Sequence, residues 1–231
     1  MACGKNQKEG CTLIMIILKN VNKSIKKNKI LTDVDLELEA GSIYGFKGRN
    51  GCGKTMLMRM IGGLIIPDSG DVIIDGKRLH KDVSFPQSMG VLIENPAFLP
   101  GYTGRNNLRM LAKLMNGITD CEIDEALTSV GLDPFDKRKY RQYSLGMKQK
   151  LGIANAILGK PELIMLDEPI NALDEETVAK IRVLLRGLRD EGKLIIIACH
   201  DREELEYLSD EIILIKEGKI AGREKVKHEA D

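Results

Sequence analysis

Residues 48–55 read GRNGCGKT, set between the apolar run IYGF and a helix-patterned stretch that begins at Lys54. The pattern Gly48-x4-Gly53-Lys54-Thr55 constrains the chain more than any other part of it. Glycines let backbone N–H groups converge on an anion without interference from Cβ, and the helix starting near Lys54 offers its positive end. Gly48, Arg49, Asn50, Gly51, Cys52, Gly53, Lys54 and Thr55 together make a cradle for a chain of phosphates. In this reading Lys54 reaches the outer phosphates and Thr55 ligates Mg²⁺. Several charge-assisted hydrogen bonds, about 1.5–3 kcal/mol each, make a triphosphate the natural occupant.

Such a loop needs a strand before it and a helix after it, and the rest of the chain alternates accordingly. Residues 16–21, 34–38 and 43–46 read as strands, the middle one strictly alternating, and 54–64 as a helix stopped before Pro67. VIIDG is a strand whose Asp75-Gly76 pair signals a turn, and residues 89–93 are another strand. From Pro96 to about Gly159 the apolar spacing turns helical. ELIMLDEP is then a buried strand ended by Pro169. Residues 175–192 form an amphipathic helix with Val178, Ile181, Leu185 and Leu188 on one face, and KLIIIACH and EIILIKEG follow as strands. The pattern predicts a mostly parallel α/β sheet with an inserted helical block. Residues 1–14 are polar and loop-like and are expected to lie outside the fold. The domain is expected over 15–225, its helical subdomain over about 96–158, and a tail over 226–231.

Composition removes several function classes. A net charge of +1 gives no reason to expect a nucleic-acid partner. The five cysteines are odd in number, far apart and without a CxxC pair, which suits a reducing cytosol and supports no cysteine metal site. No apolar run approaches the roughly 18 residues needed to span a bilayer. A cleavable signal peptide is not evident either, so a cytoplasmic location is expected. The lysines at 19, 23, 26, 27 and 29 read as a solvated hairpin edge, with contact to anionic lipid as the alternative.

Two further stretches carry chemistry. Asp167 and Glu168 emerge from LIMLDEP at the C-terminal edge of a buried strand, where ligands of open α/β sheets bind. Asp167 is placed to hold Mg²⁺ and Glu168 to polarise an attacking water. Strand 163–167, helix 175–189 and strand 194–199 form a βαβ unit, so His200 should share that edge with Glu168 and sense the terminal phosphate. A GTPase is disfavoured, because no DxxG occurs and Asn22-Lys23-Ser24-Ile25 lacks the acid that would read guanine. A small-molecule kinase would not need YSLGMKQKLGIANAIL. There Ser144 and Gly146 sit where a helix begins, with Met147, Leu151, Ala154 and Leu158 as its apolar stripe, and the helix start is a second potential anion site.

Taken together these stretches resemble the ATP-binding subunit of ABC transporters, from residue 16 to about 222. GRNGCGKT looks like Walker A, LIMLDEP like Walker B, YSLGM like the signature, NALD like the D-loop and His200 like the switch histidine, in the family's order. The resemblance implies a P-loop NTPase (RecA-like) core with an antiparallel β subdomain and an inserted α-helical subdomain. It implies an ATPase in which two copies, as a homodimer, sandwich two ATP molecules. Ser144, Gly146 and Met147 of one copy would then face the phosphate loop of the other. It further implies docking to a separately encoded membrane permease at the inner face of the cell membrane, with no direct membrane segment.

Three positions depart from the family's usual pattern. Leu145 stands where glycine is more frequent, and Ile25 where an aromatic ring usually stacks on adenine. Glu94 replaces the usual Gln of the mobile loop. That replacement, with SLGMKQ, resembles cassettes of exporters for lantibiotics, bacitracin and related peptides, and its carboxylate can ligate Mg²⁺ or move a proton. Two alternatives remain. One is a non-transport cassette ATPase of translation or DNA repair, which usually has two cassettes or a long coiled-coil insertion. The other is a regulatory nucleotide-binding module, disfavoured by the joint presence of Lys54, Asp167, Glu168 and His200.

Overall fold

A long hairpin opens the described part of the chain. The computed structural model describes residues 15–115 and 117–227, so the expectation for residues 1–14 and most of that for the tail lie outside it. Strands β1 (Met15–Ile25) and β2 (Asn28–Glu39) pair antiparallel around Lys26 and Lys27, both at positive φ (48° and 70°). Both strands run longer than the alternation suggested, and Leu31, Val34, Leu36 and Leu38 of β2 are buried. Strands β4 (Ser69–Ile74) and β5 (Lys77–Arg78) fold back at the expected turn, where Asp75 and Gly76 adopt φ of 51° and 75°. They complete an antiparallel sheet ordered β2-β1-β4-β5.

The second sheet is ordered β10-β9-β3-β8-β7-β6. It is built from β3 (Ser42–Lys47), β6 (Met89–Leu92), β7 (Leu163–Asp167), β8 (Leu194–Cys199), β9 (Glu211–Lys216) and β10 (Lys219–Lys225). All its pairings are parallel except that of the edge strand β10. The unbroken apolar runs of β7 and β8 follow from burial on both faces. Leu163, Met165, Leu194, Ile196 and Ala198 pack towards helix α1 (Lys54–Ile61) and the antiparallel sheet. Ile164, Leu166, Ile195, Ile197 and Cys199 pack towards the other helices. Each fully buried Leu or Ile contributes about 1.5–3 kcal/mol.

Those helices are α2 (Gly104–Ala112), α3 (Asp120–Ser129), α4 (Leu145–Ile157), α5 (Glu175–Asp190) and α6 (Arg202–Leu208). The inserted block is thus helical between β6 and β7, although residues 96–103 are irregular. Helix α1 stops before Leu64 because the chain turns at Gly62-Gly63, the second at φ 69°. Helix α6 was not expected; Asp201 caps it by accepting from the N–H of Glu203 at 2.9 Å. Among the described residues no helix is long and apolar enough to cross a membrane.

Candidate functional site

The loop between β3 and α1 is shaped by its last glycine. Gly53 caps α1 at φ 113°, and a Cβ there would stand 3.2 Å from both Ile30 O and a Leu31 methyl. No side chain caps this helix and no acid lies in its first turn, so its positive end is left uncompensated. Lys54 is buried, and its Nζ donates to the carbonyls of Gly48 at 2.7 Å and Arg49 at 3.4 Å. The ammonium therefore lies folded over its own loop. Cys52 is half-buried against the core, and its carbonyl accepts from Gly218 N–H at 2.9 Å, in keeping with a packing role.

Across the cleft, β7 ends in Asp167, buried, whose Oδ2 accepts from Thr55 Oγ1 at 2.6 Å. Burial pushes its carboxyl above the usual carboxylate range; the charges of Glu168 and Glu94 act in the same direction, while Thr55 and Lys54 oppose it. A buried carboxylate paired only with a hydroxyl suits a divalent cation.

Glu168, the next residue, is held at φ 49°. Its N–H donates to Ala198 O at 2.8 Å, and the Gln149 amide of α4 donates to Glu168 O at 2.9 Å and Pro169 O at 3.1 Å. Because Asp167 pairs with Ala198 in the β7–β8 register, Glu168 and His200 leave the sheet side by side. His200 Nδ1 lies 2.9 Å and 3.0 Å from the two Glu168 carboxylate oxygens. The expected pair thus meets. Gln149 was not anticipated, although its spacing from the buried Ile153 and Ala156, four and seven residues on, was a usable signal.

A cleft of about 430 Å³ is lined by the phosphate-type loop on one side and by Asp167 and Glu168 on the other. Ile30 also lines it, whereas Ile25 stands 40% exposed at the hairpin end and does not. Glu94, at φ 62°, likewise does not line the cleft; its Oε1 accepts from Arg59 of α1 at 2.6 Å. Ser144, Gly146 and Met147 sit at the start of α4, away from this cleft. Ser144 is exposed and its hydroxyl accepts from Met147 N–H at 3.2 Å, beside Leu145 at 64% exposure. A Cβ on Gly146 would stand 2.7 Å from Ala172 O, so the first turn of α4 is packed tightly on the turn before α5.

Comparison with known proteins places these features in context. The family model described as ABC transporter matches residues 31–171. The uncharacterized ABC transporter ATP-binding protein YybJ of Bacillus subtilis is 42% identical over 217 residues, covering 94% of this chain and all of that protein. The bacitracin transport ATP-binding protein BcrA of Enterococcus faecalis is 38% identical, covering 89% of this chain and 68% of that protein. Among solved structures, the dimeric ATP-binding cassette MJ0796 in a post-hydrolysis state bound to ADP and Pi superposes with a TM-score of 0.84. It is 27% identical and covers 92% of this chain and 99% of that one.

Proposed function

The chain belongs to the ABC transporter ATP-binding family and is an ATPase, and we propose that it drives export of a peptide antibiotic or drug through a separate membrane permease. Two copies would close on two ATP molecules and reopen after hydrolysis, at the inner face of the membrane. The likeness to a dimeric cassette and to a bacitracin transport protein supports this reading.

In each copy the loop from Gly48 to Thr55 binds the phosphates, and Lys54 exchanges its two loop carbonyls for phosphate oxygens. Thr55 and Asp167 would hold Mg²⁺, with Glu94 within electrostatic reach of Asp167. The ion would supply charge neutralisation at the phosphates. Glu168 orients the attacking water and takes its proton as the bond to the terminal phosphoryl group breaks. His200 fixes the Glu168 carboxylate and would face the terminal phosphate. Ser144, exposed at the start of α4 with Gly146 and Met147 behind it, would serve the nucleotide of the partner copy, a role that fits a second anion-type helix start away from the chain's own cleft.

The observation that carries this reading is Glu168, held in a left-handed conformation at the cleft with an imidazole on its carboxylate. Glu168→Gln should keep ATP binding, lose turnover by two or more decades (about 2.7 kcal/mol or more in barrier) and accumulate an ATP-bound dimer. Wild-type-like turnover in that variant would refute the assignment.

A further inference from the structure

Glu168, Cys199 and His200 bring three kinds of ligand atom to one place: a carboxylate oxygen, a sulfur and a ring nitrogen, all within 4.8 Å of one another. Hydrolysis uses two of the three and has no use for the thiol. Cys199 ends β8 with its side chain 2% exposed on the helical face of the sheet. Its sulfur accepts a hydrogen bond from the Asp201 N–H at 3.4 Å, the kind of outer contact that orients a metal-binding ligand. One soft sulfur, one imidazole and one carboxylate form a donor set for Zn²⁺ rather than for Mg²⁺, which prefers oxygen ligands alone.

The distances allow it. Bond lengths of about 2.3 Å to sulfur and 2.0–2.2 Å to nitrogen and oxygen, at tetrahedral angles, separate ligand atoms by roughly 3.3–3.7 Å. The His200–Glu168 contact at 2.9 Å is already shorter than that. The other separations, none above 4.8 Å, need to close by no more than roughly 1 Å to reach the upper end of that range. The His200 side chain, 61% exposed, gives the ion its entry route.

We propose that Glu168, Cys199 and His200 form an inhibitory site for Zn²⁺, with water as fourth ligand. Binding releases the thiol proton to solvent and ties up both the Glu168 carboxylate and the His200 ring. The binding step stands on this geometry alone; the inhibition rests on the proposed roles of Glu168 and His200, and the two are tested apart.

The full chain, without nucleotide, is titrated with Co²⁺ as a spectroscopic probe and then with Zn²⁺. A thiolate-to-cobalt charge-transfer band in the near ultraviolet is expected, displaced by Zn²⁺, absent in Cys199→Ser and Cys199→Ala, and retained in Cys121→Ser. Retained ATP binding by both Cys199 variants shows that they fold. ATP turnover measured with Mg²⁺ in large excess should fall on adding Zn²⁺, and the inhibition constant should rise at least about 100-fold in the two Cys199 variants. No band in the wild type, or a band that survives in both variants, overturns the site. A Cys199-dependent band with turnover indifferent to zinc overturns the inhibition and counts against the proposed roles of Glu168 and His200 while leaving the binding site standing.

Discussion

Replacing Gln149 by leucine asks what holds the proposed hydrolytic edge in shape. The side chain is 8% exposed and donates one hydrogen bond to Glu168 O at 2.9 Å and one to Pro169 O at 3.1 Å. Leucine fills much the same volume, so the change removes two hydrogen bonds without opening a large cavity. At about 0.5–1.5 kcal/mol net for each bond, the fold loses about 1–3 kcal/mol. For a domain of this size that is a fall in Tm of roughly 2–12 °C.

The effect on turnover comes from a different term. Glu168 sits at φ 49°, a conformation that costs a residue bearing a Cβ about 1–2 kcal/mol and survives only while its surroundings impose it. Without the amide, the remaining holders are the Ala198 carbonyl on its N–H and His200 on its carboxylate. If relaxation releases that strain, the population with Glu168 aimed into the cleft falls about 5–30-fold, and turnover at saturating ATP falls with it. ATP affinity, which the proposed function assigns to the loop on the other side of the cleft, should stay unchanged. Phosphate release, equilibrium nucleotide binding and thermal melting measured on one preparation separate the terms. A lowered Tm with turnover within about twofold of wild type would mean that Gln149 only ties α4 to the sheet.

Asp167 carries a folded-state pKa raised above 3.8 chiefly by burial, so between the two values the folded chain holds a proton that the unfolded chain has released. The resulting stability is present at low pH and is lost as pH rises through the folded pKa. Nucleotide-free Asp167→Asn should therefore melt above wild type at neutral pH, with the gap closing towards about pH 4; a gap that widens in acid would contradict the burial argument. Glu94→Gln breaks an ion pair with Arg59 whose side chains are 62% and 35% exposed, so stability should change by less than about 1 kcal/mol. It also removes a negative charge acting on Asp167, so the relative rates with Mg²⁺ and Mn²⁺ should shift, and identical kinetics with both metals would reduce Glu94 to a surface partner of Arg59. Gly146→Ala puts a Cβ 2.7 Å from Ala172 O, so about 1–3 kcal/mol of stability and the ATP-driven dimer should be lost while monomeric ATP binding persists. Dimerisation at wild-type ATP concentrations, read by light scattering, would show that the turn gives way freely.

The parts of the fold legible in the sequence are those where one term dominates. LIMLD and LIIIAC read as buried strands because every one of their residues is buried, and no polar face competes. The Asp75-Gly76 turn reads directly from its residue types. At Lys26-Lys27 the lysine run marks a hairpin edge but not its turn: two lysines take left-handed φ there because the pairing of β1 with β2 demands it, and local propensity is silent. Helix α6 escapes for another reason. Seven residues give barely two turns, only Leu205 and Leu208 are buried, and its clearest signal is a capping aspartate. Bulges in the β1–β2 register at Val21, Lys23 and Ser24 shift what faces the cleft, and Ile30 lines it where Ile25 was expected.

The site divides along the same line. Glu168 and His200 could be paired from the sequence because adjacent parallel strands in register fix what lies at their common edge. Arg59–Glu94 and Gln149–Glu168 join residues 35 and 19 positions apart through packing that no spacing rule encodes. Cysteine spacing offers no CxxC pair and only the adjacency Cys199-His200, which by itself supports no metal site. A mixed set of carboxylate, thiol and imidazole depends instead on which residue of β7 stands opposite which residue of β8. The register that brings Glu168 beside His200 also carries the Cys199 thiol to the same edge, and a serine or threonine there would leave the proposed hydrolytic pair without the soft ligand. Sensitivity to zinc should therefore follow the identity of residue 199 among cassettes that keep the acid and the histidine.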